Sequence, residues 1–140
     1  MIEARFSSAE GDYVFTHEEY HKRRVHILGT EWAVLYQTLE QNSKFSDCDG
    51  YCDPTSKRIY VRLFTDKEVS EEVFQYEDRG VAIRRVTRHE ILHAFFYESG
   101  LWVNSGQYDN GWTMCEEMVD WVAIQFPKIA NAYIECGCAG

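Results

Sequence analysis

This sequence has no long apolar run. Nothing in its 140 residues approaches the roughly 20 apolar side chains of a membrane-crossing helix, and no apolar segment follows the early basic residues as it would in a secretory leader. Positive charge is also short. Fourteen Lys and Arg against 23 Asp and Glu give a formal net charge of −9, which argues against a broad grip on nucleic acid, since that needs a positive surface to displace counterions. Cys48, Cys52, Cys115, Cys136 and Cys138 form an odd set without a repeated Cys-x-x-Cys pair, and no internal repeat is visible. A cytoplasmic protein with reduced thiols is the expectation.

What is abundant is aromatic. Tyr 9, Phe 8 and Trp 4 in a chain that is 45% hydrophobic exclude disorder and suit one domain with one core. Residues 1–24 are weakly patterned and read as an N-terminal extension. Residues 25–140 read as a single domain. Val25 to Thr38 is rich in β-branched and aromatic residues and predicts one strand, bulged at Gly29-Thr30. Asn42 to Thr55 carries turn signals and reads as a loop, whereas Arg58 to Phe64 alternates like a second strand. Asp66 to Asp78 is a weak helix or loop. A helix is predicted from Val81 to Tyr97, closed by Ser99-Gly100. After a loop at Asn104 to Gly111, a last helix should span Thr113 to Phe126, with Met114, Met118, Val119, Val122, Ala123 and Phe126 on its apolar face. Pro127 should kink or end it, with a short helical piece on to Ile134. Strands, a central helix, a loop and a second helix make an α+β order.

The central helix carries His89-Glu90-Ile91-Leu92-His93. Residues four apart share a helix face, so His89 and His93 can aim ring nitrogens at one ion while Glu90, one step round, reaches a water beside it. His17-Glu18-Glu19-Tyr20-His21 fits the same pattern but is polar on every side and reads as a solvated charged turn. The basic run Arg79, Arg84, Arg85 and Arg88 reads as the solvated face of the helix that enters the site. Trp102, Trp112 and Trp121 read as core and loop anchors.

Two histidines leave a hydrolytic metal one protein ligand short, and no histidine follows His93. Glu116, Glu117, Asp120 and the upstream thiols Cys48 and Cys52 are the candidates. Glu116 and Asp120 stand four apart on the last helix, so Glu116 can bind metal while Asp120 hydrogen-bonds a ligand imidazole. Glu117 is the alternative ligand. Thr113-x-x-Glu116 also fits a capping box, the plain role for that glutamate.

His89-Glu-x-x-His93 with Glu116-x-x-x-Asp120 downstream resembles the gluzincins. The shortness of the chain, and the run from Glu116 through Val119, Asp120, Val122 and Ala123 to Pro127, look more like the small ImmA/IrrE-type zinc peptidases of bacteria and phages. The likeness covers about Arg58 to Pro127. It implies a zincin-like fold, with a small antiparallel or mixed sheet on the motif helix and a second helix carrying the third ligand. It also implies Zn²⁺ as cofactor and a peptide or protein substrate. In that mechanism His89, His93 and Glu116 hold zinc and Glu90 is the general base for attack by metal-activated water. The Arg58 to Phe64 strand would hold substrate if it lay at a sheet edge. Tyr108 or Tyr51 are candidate transition-state donors, neither assigned. Two rivals stay open: a non-catalytic zinc-binding phage or mobile-element module with Cys115 or Asp120 filling the fourth position, and a deformylase-type hydrolase using Cys48 or Cys52.

Overall fold

A computed structural model describes residues 22–71, 78–103, 111 and 115–140. His17 to His21, nearly all of the 1–24 extension, Tyr108, Trp112 and Thr113-Met114 lie outside those residues. The first two strands, β1 (Arg23–Ile27) and β2 (Thr30–Thr38), pair antiparallel with Ile27 opposite Thr30. Leu28 and Gly29 between them both take positive φ, 49° and 86°. A two-residue turn with both φ positive matches the right-handed twist of a hairpin. The single bulged strand expected over Val25 to Thr38 is thus two strands. Leu28 gives no turn signal of its own, because side chains rarely adopt that conformation.

The stretch expected as a loop after Asn42 holds a 3₁₀ turn (Ser43–Ser46) and a third strand, β3 (Gly50–Asp53). β4 (Arg58–Leu63) follows and pairs antiparallel with β3 and parallel with β2, giving the mixed order β1-β2-β4-β3. β4 is therefore interior. The edge beside the helical layer belongs to β3, because a four-residue hairpin loop folds it back onto β4.

Three helices complete the described α+β fold: α1 (Asp66–Ser70), α2 (Arg79–Glu98) and α3 (Glu116–Glu135). Alternate residues of β2 and β4 (Trp32 and Val34, Ile59 and Val61) are buried against Ile83 and Ala94 of α2. Asp78 caps the start of α2 through Val81 N, and Gly100, with φ 79°, follows its C-cap at Ser99. The far end of α2 is tied to the sheet by Glu98, whose Oε1 accepts from Trp32 Nε1 at 2.7 Å and lies 2.7 Å from Lys57 Nζ.

The arginines of α2 are not a uniformly solvated face. Arg79 is 2% exposed and donates to Asp66 Oδ1 at 2.6 Å and to the Phe64 carbonyl at 3.0 Å, which joins α2 to the end of β4. Arg88 is half-buried against α3. Arg84 alone of the four is exposed. α3 runs unbroken through Pro127 to Glu135, although proline removes the donor for the carbonyl four residues back. That carbonyl is Ala123's, and Arg88 Nε donates to it at 2.6 Å. The helix continues because α2 supplies the missing bond. Phe126, expected on the buried face, and Trp121, expected as an anchor, are more than half exposed; the buried pair is Val119 and Ala123. No helix among the described residues is long and apolar enough to cross a membrane.

Candidate metal centre

α2 presents His89 and His93 on one face one turn apart, and their Nε2 atoms lie 3.0 Å from each other. The first turn of α3 lays Glu116 across both: Oε2 is 3.0 Å from His89 Nε2 and Oε1 is 3.2 Å from His93 Nε2. Among the described residues, these three form the group able to hold a metal ion. Their spacing fits one. Tetrahedral ligands at about 2.0 Å from zinc stand about 3.3 Å apart. Two ring nitrogens facing each other across 3.0 Å with their lone pairs inward would repel without a cation between them.

Asp120 sets the tautomer. Its Oδ1 lies 2.8 Å from His89 Nδ1, and a carboxylate only accepts, so Nδ1 carries the proton and, in the neutral ring that binds metal, Nε2 is bare for the cluster. Burial, the largest influence on His93, and the neighbouring His89 hold that imidazole below its ordinary value against the pull of Glu116. Neutral imidazole is the ligand form. Asp120 also faces Arg85 Nη2 at the longer distance of 3.8 Å.

Glu90 is buried, with Oε1 3.9 Å from His89 Nε2. Burial raises its carboxyl to about 7; the charge of His89 and a hydrogen bond from Cys52 oppose the rise, and Glu116 adds to it. A carboxyl that exchanges its proton near neutrality is suited to acid–base work. The site opens into a cleft of about 1000 Å³. Its walls include Gly50, Tyr51 and Cys52 from the edge strand, Val81, Arg85, Val86 and Tyr97 from α2, and Phe64.

The candidates left open by spacing now separate. Glu117 is exposed and outside the group. Glu116 opens α3 directly behind Cys115, which is the N-cap and makes no side-chain cap bond. A capping box needs its Glu at the third helical position, so Glu116 is not engaged as one. Cys48 and Cys52 line the cleft without joining the group. Cys48 Sγ lies 3.6 Å from the Lys44 carbonyl. Cys52 Sγ lies 3.1 Å from the Glu90 carbonyl and 3.4 Å from Glu90 Oε2, and burial, then the Glu90 charge, push its thiol up. A protonated thiol is a poor metal ligand.

Tyr51 is turned to other work. Its hydroxyl accepts from Asn42 Nδ2 at 2.8 Å and its ring stacks on Tyr60. Tyr97 is the tyrosine that sequence reasoning missed. It stands four residues past His93, on the histidine face, and the same i, i+4 spacing that finds the ligands would have found it. Its ring packs on Trp102 at 5.1 Å, and among the described residues its hydroxyl has no hydrogen-bond partner. Burial, then the charges of Cys52, Glu90 and Glu116, hold the phenol above its ordinary value, so it remains a donor.

Comparison with protein-family models, curated proteins and solved structures gives no match to this chain.

Proposed function

We propose that the protein is a zinc-dependent peptidase of the small gluzincin type, with a zincin-like arrangement of β3, α2 and α3 around the cleft. The observation that carries this reading is the convergence of His89 Nε2, His93 Nε2 and Glu116 within 3.0–3.2 Å at the cleft that also holds the Glu90 carboxyl. His89, His93 and Glu116 would hold the zinc. When bound, the ion supplies a Lewis acid and lowers the pKa of water to about 7.

The remaining chemistry belongs to the chain. Glu90 takes the proton of the water that attacks the scissile carbonyl and returns it to the departing amine. Tyr97 donates its hydroxyl proton in a hydrogen bond to the carbonyl oxygen as negative charge grows there. The outer edge of β3, which pairs with no strand among the described residues, hydrogen-bonds the backbone of an extended peptide, while Val81, Val86 and Phe64 receive side chains along the cleft. The likeness of His89-Glu-x-x-His93 and Glu116-x-x-x-Asp120 to the ImmA/IrrE-type peptidases supports the same reading. The deformylase-type alternative loses support because Cys52 is turned onto Glu90.

The test uses the purified full chain, zinc analysis and a proteome-derived peptide library. Wild type is expected to hold one zinc per chain and to cleave. Glu90→Gln is expected to keep the zinc and lose at least about 100-fold in cleavage rate, the scale of a general base. Cleavage that survives the change rejects Glu90 as the base. Zinc held tightly by a wild type that cleaves nothing favours the non-catalytic binding module.

A further inference from the structure

β3 touches Glu90 at two points. Gly50 lies so close to α2 that a Cβ built on it would meet Glu90 Cγ and Val86 Cγ1 at 2.9 Å and Glu90 Oε1 at 3.0 Å. Real Cβ atoms do not approach so closely, so a side chain at 50 would displace the Glu90 side chain or the strand. Two residues on, and therefore on the same face of the strand, Cys52 brings Sγ within 3.4 Å of Glu90 Oε2 and 3.1 Å of the Glu90 carbonyl. A protonated thiol has one hydrogen to give and carboxylate or carbonyl oxygens to receive it. Two groups of β3 thus flank the carboxyl: Gly50, where an added Cβ would meet Oε1 at 3.0 Å, and Cys52, whose single S–H lies within reach of Oε2 at 3.4 Å and of the backbone carbonyl at 3.1 Å.

We propose that the edge strand β3 aims the Glu90 carboxylate, with Cys52 as the positioning residue that bonds Oε2 and Gly50 as the stop that keeps Oε1 turned towards the histidine cluster. This rests on the reading of Glu90 as the base. A glutamate side chain has three rotatable bonds, and a base is effective only when its oxygen stays within reach of the proton it takes. Fixing the second oxygen on a half-buried donor removes the rotation that would take the first out of range. The Cys52 thiol bonds Glu90 and lies outside the His89, His93 and Glu116 group, so in this role it acts through Glu90.

Two measurements test it. The first is the infrared S–H stretch of Cys52 in metal-free full-length protein, identified as the band lost in Cys52→Val. It is expected below the frequency of a free thiol and is expected to rise in Glu90→Ala, which removes Oε2 but keeps the backbone carbonyl. A band that ignores Glu90→Ala overturns the thiol–carboxylate bond, whatever the protein catalyses. The second is steady-state cleavage by the zinc-loaded protein of a peptide found in the library. Cys52→Val is expected to lower kcat roughly tenfold, the rate equivalent of one ordinary hydrogen bond, with little change in KM. Cys52→Ser, which restores a donor, is expected to recover most of that loss, and Gly50→Ala to lower kcat as Cys52→Val does. An unchanged kcat in Cys52→Val overturns the positioning role. A wild type that cleaves nothing counts against the peptidase reading, and the infrared band then decides the bond by itself.

Discussion

Asp120 shows how much one carboxylate governs here. By accepting from His89 Nδ1 at 2.8 Å it fixes both the tautomer and the ring's direction, and it lies one helical turn from Glu116. Asp120→Asn is expected to weaken zinc binding by roughly 10–100-fold while the fold is retained, measured by competition with a chromophoric chelator. Unchanged affinity would mean that something else orients the ring. Glu90 leads to a pH dependence whose sign follows from its burial. In the metal-free fold its carboxyl keeps its proton up to about 7, whereas its ordinary value is 4.5. Between those values the folded state binds more protons than the unfolded state, so stability falls as the pH rises and levels off above about 7. At about 1.4 kcal/mol per pH unit the loss is on the order of 3 kcal/mol. Glu90→Gln does not titrate. In chelator it should gain on wild type by that order between about pH 5 and pH 8 in urea unfolding. A gap between the two proteins that stays constant with pH would show that the buried carboxyl is not protonated in the fold.

At the scale of the element, α3 depends on α2 for more than apolar contact. Pro127 leaves the Ala123 carbonyl without its helical donor, and Arg88 Nε fills the vacancy. Arg88→Met is expected to cost about 1–3 kcal/mol, the penalty for a buried acceptor left unpaired. Pro127→Ala restores the backbone donor, so it should shrink that cost; a double-mutant cycle in urea reads the coupling. Additive effects would mean that Arg88 acts only by packing. The same bond explains what the sequence could and could not say. Local spacing made α2 and its His89, Glu90, His93 face legible, and the four-residue step from Glu116 to Asp120 pointed to α3. α3 was expected to stop or kink at Pro127 because the donor that rescues it lies 35 residues upstream, a distance at which no pattern shows. β3 was missed for a related reason. It is four residues long, and what holds it is pairing with β4 and the close approach to Glu90. The β1–β2 turn was missed because Leu28 sits where Gly or Asn would have signalled a hairpin.

On the scale of the whole molecule, the fold has a firm part and an attached part. α2 is fixed to the sheet at both ends, by Arg79 through Asp66 and Phe64, and by Glu98 through Trp32 and Lys57. α3 rests on α2 with Val119 and Ala123 buried, while Trp121, Ile124, Phe126, Tyr133 and Ile134 stay exposed. Among the described residues only Val119 and Ala123 of α3 are fully buried, and the metal cluster spans that same α2–α3 seam. A cation that binds only the folded arrangement stabilises it by mass action, by about 4 kcal/mol at a thousandfold excess over Kd. For a chain of this size that corresponds to a rise in Tm of about 10–15 °C. The gain should be unevenly spread. Amide exchange is expected to slow most in the first turns of α3, which fold onto the ligands, and least in β2 and β4, which are already protected by the core. Glu116→Ala removes the only ligand that α3 contributes to the cluster, and should abolish both the rise in Tm and the added protection in α3. If zinc raised the Tm of Glu116→Ala as much as that of wild type, the ion would be held without α3, and the two helices would not be joined through the metal.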